Sequence, residues 1–145
     1  MLSTTQFGQQ PLQFEATLSG AMEVPPVLSP GVGMSVLSFD PTLSSLRVGL
    51  VVSNLRQVRE AHIHLGRPGE NGPIVLFLYG PALPVDITAP TVLTSGTFTA
   101  TNLTGPLTGM PMSVLAQQML SGNTYVNVHT VTNPGGEIRG QVTFR

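Results

Sequence analysis

Cysteine and lysine are both absent from this 145-residue sequence, and charged residues make up only 9% of it. Without cysteine there is no disulfide, no thiolate metal site and no cysteine nucleophile. Without lysine, six arginines stand against seven acidic residues, so no basic face exists to grip phosphates, and nucleic acid is excluded as a partner. No apolar run approaches the ~20 residues that a membrane-spanning helix needs. The first ten residues, MLSTTQFGQQ, lack both the basic and the apolar region of a secretory signal. What is present is 41% hydrophobic residues with 16 glycines and 13 prolines, enough for one core but punctuated too often for a helical bundle. Short strands joined by turns are expected.

The order of the residues bears this out. Residues 1–12 are polar, rich in Gln and Thr, and read as a flexible arm; residues 13–145 form the single domain. Phe14, Ala16 and Leu18 alternate with Glu15, Thr17 and Ser19, the period-2 mark of a half-buried strand. Alternation resumes over Val32 to Phe39 and again at Leu46, Val48, Leu50 and Val52. Further strands are expected at Arg59 to Leu65, Ile74 to Tyr79, Val92 to Ala100, Asn123 to Thr130 and Ile138 to Phe144. One short helix is expected near residues 111–121, where Met112, Leu115, Ala116 and Met119 recur at helical spacing between Pro111 and Gly122. The fold class is all-β: a Greek-key β-sandwich or barrel of about eight strands.

The scarce residues are the three histidines, and all lie in strand-like stretches. Successive side chains on a strand point to opposite faces, so His62 and His64 share a face with Glu60, opposite Ala61, Ile63 and Leu65. By the same parity His129 sides with Tyr125 and Asn127, and Arg139 with Glu137 and Gln141. These polar sets are expected to face outward. An H-x-H pair places two imidazoles on one side of a strand, roughly 7 Å apart at Cα, from where both can converge on one ion. His129 from a neighbouring strand would complete a three-nitrogen site. Glu60, Asn127 and Glu137 are candidates to hydrogen-bond its ligands. Neutral imidazoles suit copper and zinc, with copper(II) the stronger binder of the same nitrogens and zinc the alternative. In the competing reading the histidines are structural, bracing the Gly66 to Pro73 loop by hydrogen bonds.

Four blocks carry a family resemblance: Leu18-Ser19-Gly20-Ala21-Met22-Glu23-Val24-Pro25-Pro26-Val27, Ala61 to Ile74 around His62-Ile63-His64, Tyr125-Val126-Asn127-Val128-His129-Thr130, and Asn133-Pro134-Gly135-Gly136-Glu137-Ile138-Arg139-Gly140-Gln141. In this order they resemble the CHRD (chordin-type) domain family from about Leu18 to Phe144. That resemblance implies an extracytoplasmic setting, whether secreted, periplasmic or on the cell surface, and a partner in the cell envelope or extracellular space. A second likeness is to copper-only members of the copper/zinc superoxide dismutase-like fold. There an H-x-H pair, a later His, a Gly-rich turn and an Arg follow in the order of His62-Ile63-His64, His129, Pro134-Gly135-Gly136 and Arg139. It implies copper on the three histidines, with Arg139 attracting and orienting superoxide or another small anion. A fourth His, a zinc cluster and a cysteine pair are all missing, so the two-metal, disulfide-braced enzyme is excluded. The alternative to catalysis is an interaction module of the envelope or extracellular space.

Overall fold

The computed structural model describes residues 10–145. Ten strands occur among them: β1 (Leu12–Ser19), β2 (Val32–Phe39), β3 (Ser45–Ser53), β4 (Leu55–Leu65), β5 (Ile74–Tyr79), β6 (Val85–Ile87), β7 (Thr91–Thr99), β8 (Thr124–Thr130), β9 (Ile138–Gln141) and β10 (Thr143–Phe144). One α-helix, α1 (Met112–Leu120), and three short 3-10 turns complete the described residues. Eight strands run in the order β5-β4-β8-β9-β1-β2-β3-β7, all antiparallel; β6 pairs with β4 and β10 with β1. The two ends of this path meet where Thr94 Oγ1 of β7 donates to the Leu78 carbonyl of β5 at 3.0 Å, which nearly closes a barrel. Around that ring the links from β3 to β4 and from β7 to β8 each pass over two strands, the Greek-key form of connection.

Alternation in sequence becomes layering in space. Leu46, Val48, Leu50 and Val52 of β3 point into the barrel with Phe14, Leu37 and Phe39, each at most 1% exposed. The helix contributes Met112, Leu115, Ala116 and Met119 to the same core, so the methionines there are packing residues. β4 is longer than its periodicity suggests, starting at Leu55, because Asn54 and Gln57 adopt positive φ and interrupt the alternation. β6 was not foreseen: it lies between Pro81, Pro84 and Pro90, and only three residues pair. Most of the arm expected over residues 1–12 lies outside the described residues, and Leu12 already pairs with Phe39.

Candidate metal centre

The antiparallel register of β4, β8 and β9 sets three polar rows side by side. Glu60 lies opposite His129, His62 opposite Asn127, and His64 opposite Tyr125; on the far side Asn127 lies opposite Arg139 and Tyr125 opposite Gln141. Parity therefore holds, with Ala61, Ile63, Val126, Val128 and Ile138 turned to the core. The outward exposure expected for the polar face does not hold. His62, His64 and His129 are 3%, 6% and 7% exposed, Arg139 1%, and every residue of β8 is buried.

Two segments cover this face. The loop from Gly66 to Pro73 is held by Gln141 Nε2 donating to Gly66 O, by Gly72 N donating to Tyr125 Oη, and by Arg139. The Arg139 guanidinium donates to Arg67 O, Glu70 O and Asn71 Oδ1 at 2.7–3.2 Å and lies 3.4 Å from the centroid of the Tyr125 ring. It makes no ion pair with Glu60 or Glu137. The second cover is the strap from Glu23 to Pro30, joined to the loop by Asn71 Nδ2 donating to Val24 O. Glu137 fixes the strap and the turn after β8, accepting from Ser29 Oγ, Thr130 Oγ1 and Asn133 Nδ2.

Beneath these covers each imidazole has one nitrogen tied down. His64 Nδ1 is 2.9 Å from Gly72 O and His129 Nδ1 2.9 Å from Pro134 O. A carbonyl only accepts, so both Nδ1 atoms carry hydrogen and both Nε2 atoms keep their lone pairs in the neutral ring. His62 Nε2 faces Glu60 Oε1 at 3.1 Å, which by the same logic leaves His62 Nδ1 as a lone pair. One ring nitrogen from each of the three histidines lies within 4.8 Å of the others, and the lone-pair nitrogens His62 Nδ1 and His129 Nε2 are 2.9 Å apart. Among the described residues His64 Nε2 has no hydrogen-bond partner. The outward hydrogen bonds orient the rings as carboxylates and carbonyls orient metal-bound histidines. His64 thus both braces the loop and leaves a nitrogen free.

Such a donor set fits a transition-metal ion. Metal–imidazole bonds of roughly 2.0–2.1 Å allow ligand nitrogens up to about 4.2 Å apart, so at most a small closing movement is needed. Electrostatics keep the nitrogens unprotonated. Burial holds the His62 pKa down from its ordinary 6.5 to about 3, helped by His129 and His64. Burial also lowers His64 and His129, against the opposing pull of the Gly72 and Pro134 carbonyls.

Glu23 is a lone acidic residue two positions before a proline pair, with no periodicity in the sequence to flag it. It is 5% exposed; burial raises its pKa from 4.5 to about 7, opposed by the charge of Arg139 and a hydrogen bond from Asn127. In the metal-free protein the unfolded chain binds more protons than the folded one between the two His62 values, about 3 and 6.5, so stability falls on acidification through that window. Glu23 acts oppositely, its contribution being complete below 4.5 and lost as pH rises through about 7. With three histidines against one glutamate, the urea midpoint is expected to drop as pH is lowered below 6.5. A flat or rising midpoint would show that the imidazoles are already protonated in the fold.

Gly72 delivers the carbonyl that holds His64. A Cβ there would lie 1.6 Å from Leu65 O, so the turn can pass only as glycine. Gly72→Ala is expected to cost about 2–4 kcal/mol, read as a lower urea midpoint, because the loop must move away from the strand. An unchanged midpoint would mean the close approach is not needed.

No curated protein and no solved structure matches the chain. A family model described as the CHRD domain does, over residues 14–142, which include every strand from β2 to β9 and all three histidines. The chain belongs to the CHRD domain family.

Proposed function

We propose that this domain works outside the cytoplasm and holds one transition-metal ion through His62, His64 and His129, copper in preference to zinc, and that the copper form dismutates superoxide. The observation that carries the metal reading is the convergence of three buried imidazoles, one ring nitrogen of each within 4.8 Å of the others, while each ring has a nitrogen tied to an acceptor. The preference for copper follows from the ordering of divalent ions on the same nitrogens. The setting follows from the CHRD domain being of extracellular type, and no helix among the described residues is long and apolar enough to cross a membrane.

Bound copper would supply one-electron exchange, by which two superoxide anions and two protons become dioxygen and hydrogen peroxide. The chain's own part is to orient and to exclude water. Glu60, Gly72 and Pro134 hold the rings, and the loop and strap keep them buried. Arg139 bears on an incoming anion through its charge and not by contact, since its guanidinium is buried and engaged with the loop. A second reading, a non-catalytic interaction module, draws on a different face. Met34, Val51 and Val92 are neighbours in register across β2, β3 and β7 and are 40–61% exposed, an apolar patch of the kind that binds proteins.

The test is to add one equivalent of Cu(II) or Zn(II) to the purified protein, measure the metal retained, and follow superoxide decay. One copper retained with accelerated decay is expected. Retention without acceleration would leave a metal-binding module without that chemistry. No retention would favour the interaction module.

A further inference from the structure

A fourth polar group stands among the three imidazoles. Asn127 lies opposite His62 in the β4–β8 register, with its Oδ1 2.8 Å from His129 Nε2. His129 has its ring hydrogen on Nδ1, committed to Pro134 O, so its Nε2 has nothing to donate to Oδ1. Two acceptors thus face each other at hydrogen-bond distance in a buried place, beside a third, His62 Nδ1, 2.9 Å from the same nitrogen.

An asparagine relieves such a conflict by turning its amide over so that Nδ2 donates. Glu23 stands against that turn. Its carboxyl is buried beside the Asn127 amide, with Oε2 unpartnered among the described residues, and an acceptor oxygen at that place favours Nδ2 on its own side and Oδ1 towards the histidines. Gly136 makes the juxtaposition possible: at φ 122° it carries no Cβ, which would otherwise sit 2.4 Å from Glu23 Oε2 and 2.6 Å from Asn127 Nδ2.

We propose that Asn127 Oδ1 is a fourth donor to the metal ion, completing a three-nitrogen, one-oxygen set, and that Glu23 and Gly136 are positioning residues that aim it. This rests on the three-histidine reading and deepens it. The fourth position, which an open catalytic site leaves to water or substrate, is here occupied by a neutral amide oxygen, a weak donor that a small anion can displace.

The experiment uses the full chain with Zn(II) as the diamagnetic probe. In 13C/15N-labelled wild type, one equivalent of Zn(II) is expected to shift the Asn127 side-chain carbonyl carbon together with the ring resonances of His62, His64 and His129. Competition titration is expected to show Zn(II) affinity at least tenfold weaker in Asn127→Ala and restored or tightened in Asn127→Asp, whose carboxylate supplies an oxygen at the same place. Histidine shifts without any Asn127 shift, or an Asn127→Ala affinity within twofold of wild type, would overturn the fourth ligand while the three histidines stand. Absence of every shift in wild type would overturn the three-histidine reading and this proposal with it.

Discussion

Metal ion held free near a thousandfold above its dissociation constant is expected to raise the melting temperature of the metal-free protein by roughly 8–16 °C. That excess corresponds to about 4 kcal/mol of linkage, spread over a domain of this size. The expectation follows from the metal-free site being poorly satisfied. With His64 Nε2 unpartnered and His62 Nδ1 set 2.9 Å from His129 Nε2, hydrogen placement always leaves a buried conflict. If His62 carries its hydrogen on Nδ1, it satisfies His129 but turns a lone pair on the Glu60 carboxylate; if on Nε2, two lone pairs meet. A cation among the three nitrogens removes the conflict in one step. His62→Ala and His129→Ala are expected to abolish the rise, without a large loss of stability in the metal-free state, since each deletes one side of the conflict. A metal-dependent rise undiminished in both variants would place the ion elsewhere.

Arg139→Ala is expected to destabilise the protein by about 3–5 kcal/mol, lowering the melting temperature by about 6–20 °C. The guanidinium is 1% exposed and gathers Arg67 O, Glu70 O and Asn71 Oδ1 while packing on Tyr125, so alanine would strand these acceptors and leave a cavity over the ring. Arg139→Lys should recover only part of the loss, because an ammonium lacks the planar fork that reaches several acceptors and stacks on an aromatic face. The consequence reaches the metal centre through the loop. Tyr125 stacks on His64 with ring centroids 4.7 Å apart, and its hydroxyl accepts from Gly72 N, whose carbonyl fixes His64 Nδ1. Metal affinity in the alanine variant should therefore fall along with stability. A loss below about 1 kcal/mol in urea denaturation would show that the loop docks without this residue.

The strands were legible because alternation is a local property. β2 runs over the same residues that period-2 patterning marks, β5 over the apolar stretch that follows the Gly/Pro/Asn loop, and the helix follows from Met112, Leu115 and Met119 between Pro111 and Gly122. Parity also paired the right groups, since His62, His64, His129 and Arg139 do share one face of β4, β8 and β9. What misled was reading polar as exposed. Burial of that face depends on the Gly66–Pro73 loop and the Glu23–Pro30 strap folding back over it, held by hydrogen bonds between residues up to 108 positions apart. No window of local sequence contains such a contact.

The sequence by itself determined that the chain is all-β, that it has no thiolate ligand or disulfide, and that its three histidines lie on the polar side of two strands, because composition and side-chain period act residue by residue. Tertiary structure alone decided that the three rings meet, which nitrogen of each is free, and that Glu23 lies beside Asn127. Those depend on strand register and loop closure, where a carbonyl at Gly72 or Pro134 fixes a ring hydrogen and so leaves the opposite lone pair pointing at its neighbours.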